Sequence, residues 1–178
     1  MSEINEDYDT ATESTSIYSM VATFRVSSTH PLVVDGRDVQ GLVQELEDVT
    51  ELLDNEHVTV RGWYDVSGLH HDADLLVWLH GDTAEGLQWG LRELRRSNLL
   101  SPLIRVSSSL GVHADGEAPL ALDEQPYQWI AVAQRAPLDL AIFEADEVAD
   151  LASPTAELPV APRIGRFIEL VEIIEVLQ

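Results

Sequence analysis

The chain has 178 residues and a formal charge of −22, from 32 Asp and Glu against 10 basic residues, every one of them Arg. That length supports one sizeable core rather than two independent large domains, and that charge disfavours phosphate backbones and anionic membranes as partners. The absence of Cys excludes disulfides, thiolate nucleophiles and cysteine-ligated metal centres. No apolar run reaches the ~20 residues of a membrane span, and the first residues are acidic where a signal peptide is basic, so the expectation is a cytoplasmic protein.

Residues 1–16 are polar, acidic and without periodicity, and read as a disordered arm. Ile17 to Val26 is the first strand, stopped by Ser27-Ser28-Thr29-His30-Pro31. Val39, Leu42, Val43, Leu46, Val49 and Leu53 recur every three or four residues, which predicts a helix from Asp38 to Asp54 with Glu45, Glu47, Asp48 and Glu51 on its solvated side. Val58, Val60, Gly62, Tyr64 and Val66 then alternate with Thr59, Arg61, Trp63 and Asp65, the pattern of a half-buried strand. After a polar turn holding His70, His71 and Asp72, the unbroken apolar run from Leu75 to Leu79 predicts a strand covered on both faces. Asp82 with Glu85 reads as a capping-box start for a second helix that carries Leu87, Leu91 and Leu94. Arg92, Arg95 and Arg96 lie near its end, where cations suit the helix dipole. Leu103 to Val112 is the fourth strand.

The order β-α-β-β-α-β from Ile17 to His113 is the ferredoxin-like split arrangement of an α+β protein. Two helices cover one face of its sheet and leave the other in need of burial. Beyond it, Ala114 to Pro126 reads as a loop, Tyr127 to Ala133 and Leu138 to Glu144 as strands, Ala145 to Leu151 as a short helix, and Ser153 to Pro162 as a Pro-interrupted linker. The organisation expected is an arm over 1–16, a ferredoxin-like half over 17–113 and, by the resemblance described next, a reduced second half over 114–178 packed on the first.

The runs RGWYDVSGL from Arg61 and DADLLVWLHGDTAEGLQ from Asp72, with Ile17-Tyr18-Ser19-Met20 upstream and Ser107 to His113 downstream, resemble the corresponding stretches of actinobacterial coproheme decarboxylases in the chlorite dismutase superfamily. The resemblance implies a dimeric α+β barrel type of fold, haem or iron coproporphyrin as cofactor, a ring-like homo-oligomer, and a role in haem biosynthesis. It also implies an axial histidine, a radical tyrosine and a distal histidine. These do not carry over: Trp129-Ile130-Ala131-Val132-Ala133 matches the family's tyrosine-bearing strand with Ala133 in the tyrosine's place, the passage from His113 through Ala118 to Pro119 lacks the distal histidine, and no histidine follows His113. For Arg163 to Gln178 the resemblance implies a closing strand, slightly favoured here, while glutamates at 169, 172 and 175 suggest a helix.

No catalytic residue and no metal site is assigned. A Gly-rich phosphate loop, Gly-x-Ser-x-Gly and His-Glu-x-x-His are all absent. His70 and His71 beside Asp72 and Asp74 have the ligand types for a divalent ion, but read as solvated turn residues because strand neighbours point opposite ways. His80 reads as a packed or capping residue, His30 and His57 as exposed, Tyr127 as a half-buried anchor. His113, ending a strand that faces the shortened half, is the one candidate for binding a cofactor. Three readings stand: a coproheme decarboxylase-like protein of altered or no catalytic activity, with a porphyrin as its ligand or none; an active haem-dependent, peroxide-using coproheme decarboxylase with non-standard ligands; and a small-molecule-binding or interaction module on a ferredoxin-like scaffold.

Overall fold

A computed structural model of the chain describes residues 16–113, 122 and 124–178. All but the last residue of the expected acidic arm, most of the expected loop from Ala114 to Pro126, and the stretch lacking the distal histidine lie outside the described residues. β1 (Ile17–Arg25), α1 (Val39–Asn55), β2 (Val58–Asp65), β3 (Leu75–Gly81), α2 (Ala84–Arg96) and β4 (Ile104–His113) follow in the expected order. Their antiparallel order β4-β1-β3-β2 is the ferredoxin-like one. α1 and α2 pack their leucines, among them Leu46, Leu53, Leu87 and Leu94, against Phe24, Leu75, Val77 and Leu79 on one face of the sheet. Each such side chain, fully buried, contributes about 1.5–3 kcal/mol. β3 turns Leu76 and Trp78 to the opposite face, so it is buried on both sides as its apolar run predicts.

Two local expectations change. α2 is capped by Thr83, not Asp82: the Thr83 Oγ1 accepts from the Gly86 amide at 3.0 Å, which places Glu85 one residue too early to complete a capping box. The alternation of β2 breaks as well. A bulge skips Arg61, so that Val60 stands opposite Leu79 and Gly62 opposite Trp78. Val58 and Val60 therefore share the helix side with Trp63, while Tyr64 and Val66 belong to the other side.

The second half continues the same sheet rather than laying a second sheet on the open face. β5 (Trp129–Ala136), β6 (Asp139–Ala145) and β7 (Arg163–Ile168) complete the order β4-β1-β3-β2-β7-β5-β6, with β7 joining β2 through Trp63↔Ile168, Tyr64↔Phe167 and Asp65↔Arg166. The seven strands curl so that the face left open by the helices packs on itself: Val21, Tyr64, Leu76 and Trp78 meet Ile130, Val132, Leu140 and Ile142. The two edges come together where the Val112 amide donates to the Leu138 carbonyl at 3.1 Å, Leu138 adopting a φ of 63°. Gly111 permits that approach, because a Cβ there would lie 2.5 Å from the Leu140 Cβ.

The chain end combines both expectations. Strand β7 stops at Ile168, and α4 (Leu170–Leu177) follows, its entry fixed by Glu169 and Glu172 capping each other's backbone amides. Ile173, Ile174 and Leu177 then bury in the helix-side core, which a continued strand could not achieve with glutamates at every third position. The short helix expected at Ala145 to Leu151 forms later, as a single 3-10 turn over Val148–Leu151 running into α3 (Ala152–Thr155); Pro154 sits in the first turn, where its missing N–H is harmless.

Candidate functional site

The bulge that interrupts β2 turns Arg61 into the interior, under the ring of Trp78, whose centroid is 5.7 Å from the guanidinium carbon. There Arg61 Nη2 meets Glu144 Oε2 of β6 at 3.1 Å, with the two side chains 3% and 2% exposed. Arg61 Nη1 also donates to the carbonyls of Leu122, at 3.3 Å, and Glu124, and Nη2 lies 3.5 Å from the carbonyl of Gln125. A buried ion pair persists only when its remaining hydrogen-bonding capacity is met, and these carbonyls do much of that. Tyr64 lies beside it, its ring over Gly62: a Cβ on Gly62 would be 2.9 Å from the phenolic oxygen. Burial first, and the Glu144 charge second, push the Tyr64 phenol far above its ordinary pKa against the opposing pull of Arg61, so the hydroxyl stays protonated.

Among the described residues the Tyr64 hydroxyl, Trp78 Nε1, Arg61 Nε and Glu144 Oε1 are buried without a hydrogen-bond partner. Such a cluster is where ordered water resides. A cavity of about 220 Å³ opens against it, walled by Thr50, Trp63, Phe167 and Leu170 with Arg61 and Pro126 at one side. It lies where the short β2–β7 ladder ends. The arrangement offers a neutral phenol and a neutralised guanidinium, groups suited to hold and orient rather than to transfer protons.

The outer face of β5 and β6, which carries Ala133, is built differently. Ala131, Ala133 and Ala141 lie on it at 0%, 4% and 6% exposure, Ala133 opposite Ala141 and Ala131 opposite Phe143, with Trp129 at the strand's start. The Val148–Leu151 turn lies directly over these strands with Leu151 buried. No described residue of this face carries an imidazole or a phenol.

His113 points into the curl from the end of β4, its Nε2 3.1 Å from Ser19 Oγ, and burial lowers its pKa. It borders a cavity of about 410 Å³ at the β4–β6 seam with Arg135, Asp139 and Phe143. The turn cluster is drawn apart. Asp72 makes a two-pronged pair with Arg163 of β7 at 2.7 and 2.8 Å, Asp74 accepts from the Val26 amide at 2.8 Å, and His70 Nε2 accepts from the Ile164 amide at 2.9 Å. His71 is exposed, as expected; His70 is not a free turn residue but a clasp on β7. No group of three His, Cys, Asp or Glu suited to a metal occurs among the described residues. His30 and His57 are exposed, and so is Tyr127, at 38%, against the expected anchor. The Arg61–Glu144 centre was not foreseen: an arginine inside a β-branched strand was its signal, but nothing local pairs it with a residue 83 positions away.

A family model described as chlorite dismutase matches residues 39–138. The coproheme decarboxylase of Mycolicibacterium smegmatis (strain ATCC 700084 / mc(2)155) is 34% identical over 112 residues, which are 62% of this chain and 46% of that protein. The match thus spans about half the length of that relative. The chlorite dismutase of Candidatus Nitrospira defluvii, solved in complex with imidazole, superposes with a TM-score of 0.66 at 18% identity, covering 94% of this chain and 97% of that one. A further crystal structure carrying the chlorite dismutase name gives a TM-score of 0.70 at 13% identity over 92% of this chain and 100% of its own. At these identities the structural likeness is one of fold.

Proposed function

Given that the chain belongs to the chlorite dismutase family, we propose that it is a coproheme decarboxylase-like protein that keeps the scaffold and does not decarboxylate coproheme. The observation that carries this reading is the outer face of β5 and β6. By the resemblance Ala133 stands in the radical tyrosine's place, and the Val148–Leu151 turn, with Leu151 buried, lies against these strands. A porphyrin needs a slot as thick as its ring and an axial imidazole. The described residues there provide neither, and no histidine follows His113 in the chain. The residues do not fit the group at that place.

His113 is the residue this reading assigns to any porphyrin contact. It borders the seam cavity, and its Nε2 would have to leave Ser19 to meet iron. Val112 and Leu138, both exposed beside that seam, leave apolar surface for a second copy to cover, in keeping with a homo-oligomer. A small-molecule-binding role is the second reading, favoured by the apolar-walled cavity against Arg61.

The deciding experiment adds iron coproporphyrin and then peroxide to the full chain, with the Soret band and product masses followed together. Expected are no loss of carbon dioxide and no rescue by Ala133→Tyr; any Soret shift disappears in His113→Ala. Peroxide-dependent decarboxylation by the unaltered chain overturns the proposal. A silent Soret band together with saturable binding of another small molecule selects the second reading.

A further inference from the structure

Arginine is the sole cation of this strongly acidic chain, and most copies are committed. Arg37, Arg61, Arg96, Arg135, Arg163 and Arg166 each meet a carboxylate. Among the described residues Arg25, Arg92, Arg95 and Arg105 do not, and the last three line one groove between α2 and β4, with a volume of about 340 Å³. Its apolar floor is Met20 and Leu91, both buried, and Ser108 adds a hydroxyl.

The convergence has a structural origin. Arg92 and Arg95 are one turn apart on α2, and the helix dipole explains cations at its end. It does not explain Arg105. The β1–β4 ladder carries a bulge between Thr23 and Phe24, where the pairing passes from Ser107 directly to Arg105. Without it Val106 would stand opposite Phe24 on the helix side. With it Val106 packs in the interior and Arg105 comes out beside the two arginines of α2. Three guanidinia brought together without a carboxylate repel one another, although the chain has acids in threefold excess over bases. An anion removes that repulsion.

We infer that this groove binds a small molecule bearing at least two oxyanion groups, a phosphate ester or a di- or tricarboxylate, with its apolar body on Met20 and Leu91. Planar guanidinia grip such oxygens in two-pronged fashion, and the exposed positions of Arg92, Arg95 and Arg105 leave their donors accessible. The charge of −22 repels anions in general, so only a ligand that several guanidinia grasp together overcomes it.

The test is calorimetric titration of the full chain with pyrophosphate and, separately, citrate, sodium chloride being used to hold ionic strength constant. Saturable binding of one anion per chain is expected for at least one of them, and the tighter of the two identifies phosphate or carboxylate chemistry. Arg95→Gln with Arg105→Gln should weaken it at least about tenfold, while Arg37→Gln, an exposed arginine paired with Asp35, should leave it unchanged. Circular dichroism verifies that the exposed substitutions leave the fold intact. The inference is overturned if neither anion saturates, if the double variant binds as well as the parent, or if sedimentation shows that the anions dissociate an oligomer and the heat follows that dissociation.

Discussion

The two halves of the sheet share one interior but carry coats of different thickness. Over β1 to β4 the outer face supports α1, α2 and the shorter α4, and the side chains between are mostly leucine. Over β5 and β6 it supports the single 3-10 turn, on a face of three alanines with Trp129 and Phe143. The strands of the second half close the curl, whereas the layer outside them is thin, so little of the chain's packing lies on that side. Stability of the whole then rests on the joints between the halves: the Arg61–Glu144 pair, the Gly111 seam and the clasp of the β2–β3 turn on β7.

The comparison breaks most decisively at the ion pair. Glu144→Leu leaves a buried guanidinium without its carboxylate and should cost about 3–5 kcal/mol in urea unfolding. Adding Arg61→Met should recover a large part of that loss. A single substitution that costs nothing would mean that the halves do not depend on this joint.

Next is the seam. Gly111→Ala sets a methyl 2.5 Å from the Leu140 Cβ, an overpacking expected to cost about 1–3 kcal/mol. Amide exchange should rise first at Val112, the donor of the closing hydrogen bond; exchange that rises uniformly along β1 to β4 instead would show that the seam is no separate joint.

Smallest is the acid sensitivity of the clasp. Burial first, and the Arg163 charge second, hold the His70 pKa below its ordinary value, and the Ile164 N–H requires a neutral ring nitrogen. The unfolded chain therefore takes up the proton more readily. This contribution is complete above the ordinary histidine value of about 6.5 and declines as the pH falls through the depressed folded value. Asp72, held well below the usual carboxylate range mainly by its hydrogen bonds to Arg163, acts in the same direction at much lower pH. The slope of the urea midpoint between about pH 5 and 6.5 should flatten in His70→Gln; an unchanged slope removes His70 from the clasp.

Much of the first half was legible because its signals are local. The leucine spacing of α1, the apolar run of β3 and the Arg-rich end of α2 each state a periodicity that the packing then obeys. The bulges were not legible, since each depends on a partner strand: the skip at Arg61 needs β3, and that at Val106 needs β1. Both candidate sites rest on them. Closure was equally hidden, for Gly111 looks like any strand glycine until Leu140, far along the chain, is set against it. At the chain end the glutamate spacing carried true information about α4 that the likeness to a closing strand outweighed.

The meeting of β4 and β6 separates this cylinder from one laced all the way round. Every other neighbouring pair of strands is held by a ladder, whereas among the described residues the last has one backbone rung, Val112 to Leu138, beside the Gln134 amide on the Leu110 carbonyl. Like the split in a piston ring, such a slit lets the circumference widen slightly without any ladder being cut. Breathing of the wall is thereby confined to one line, and His113 stands at its end.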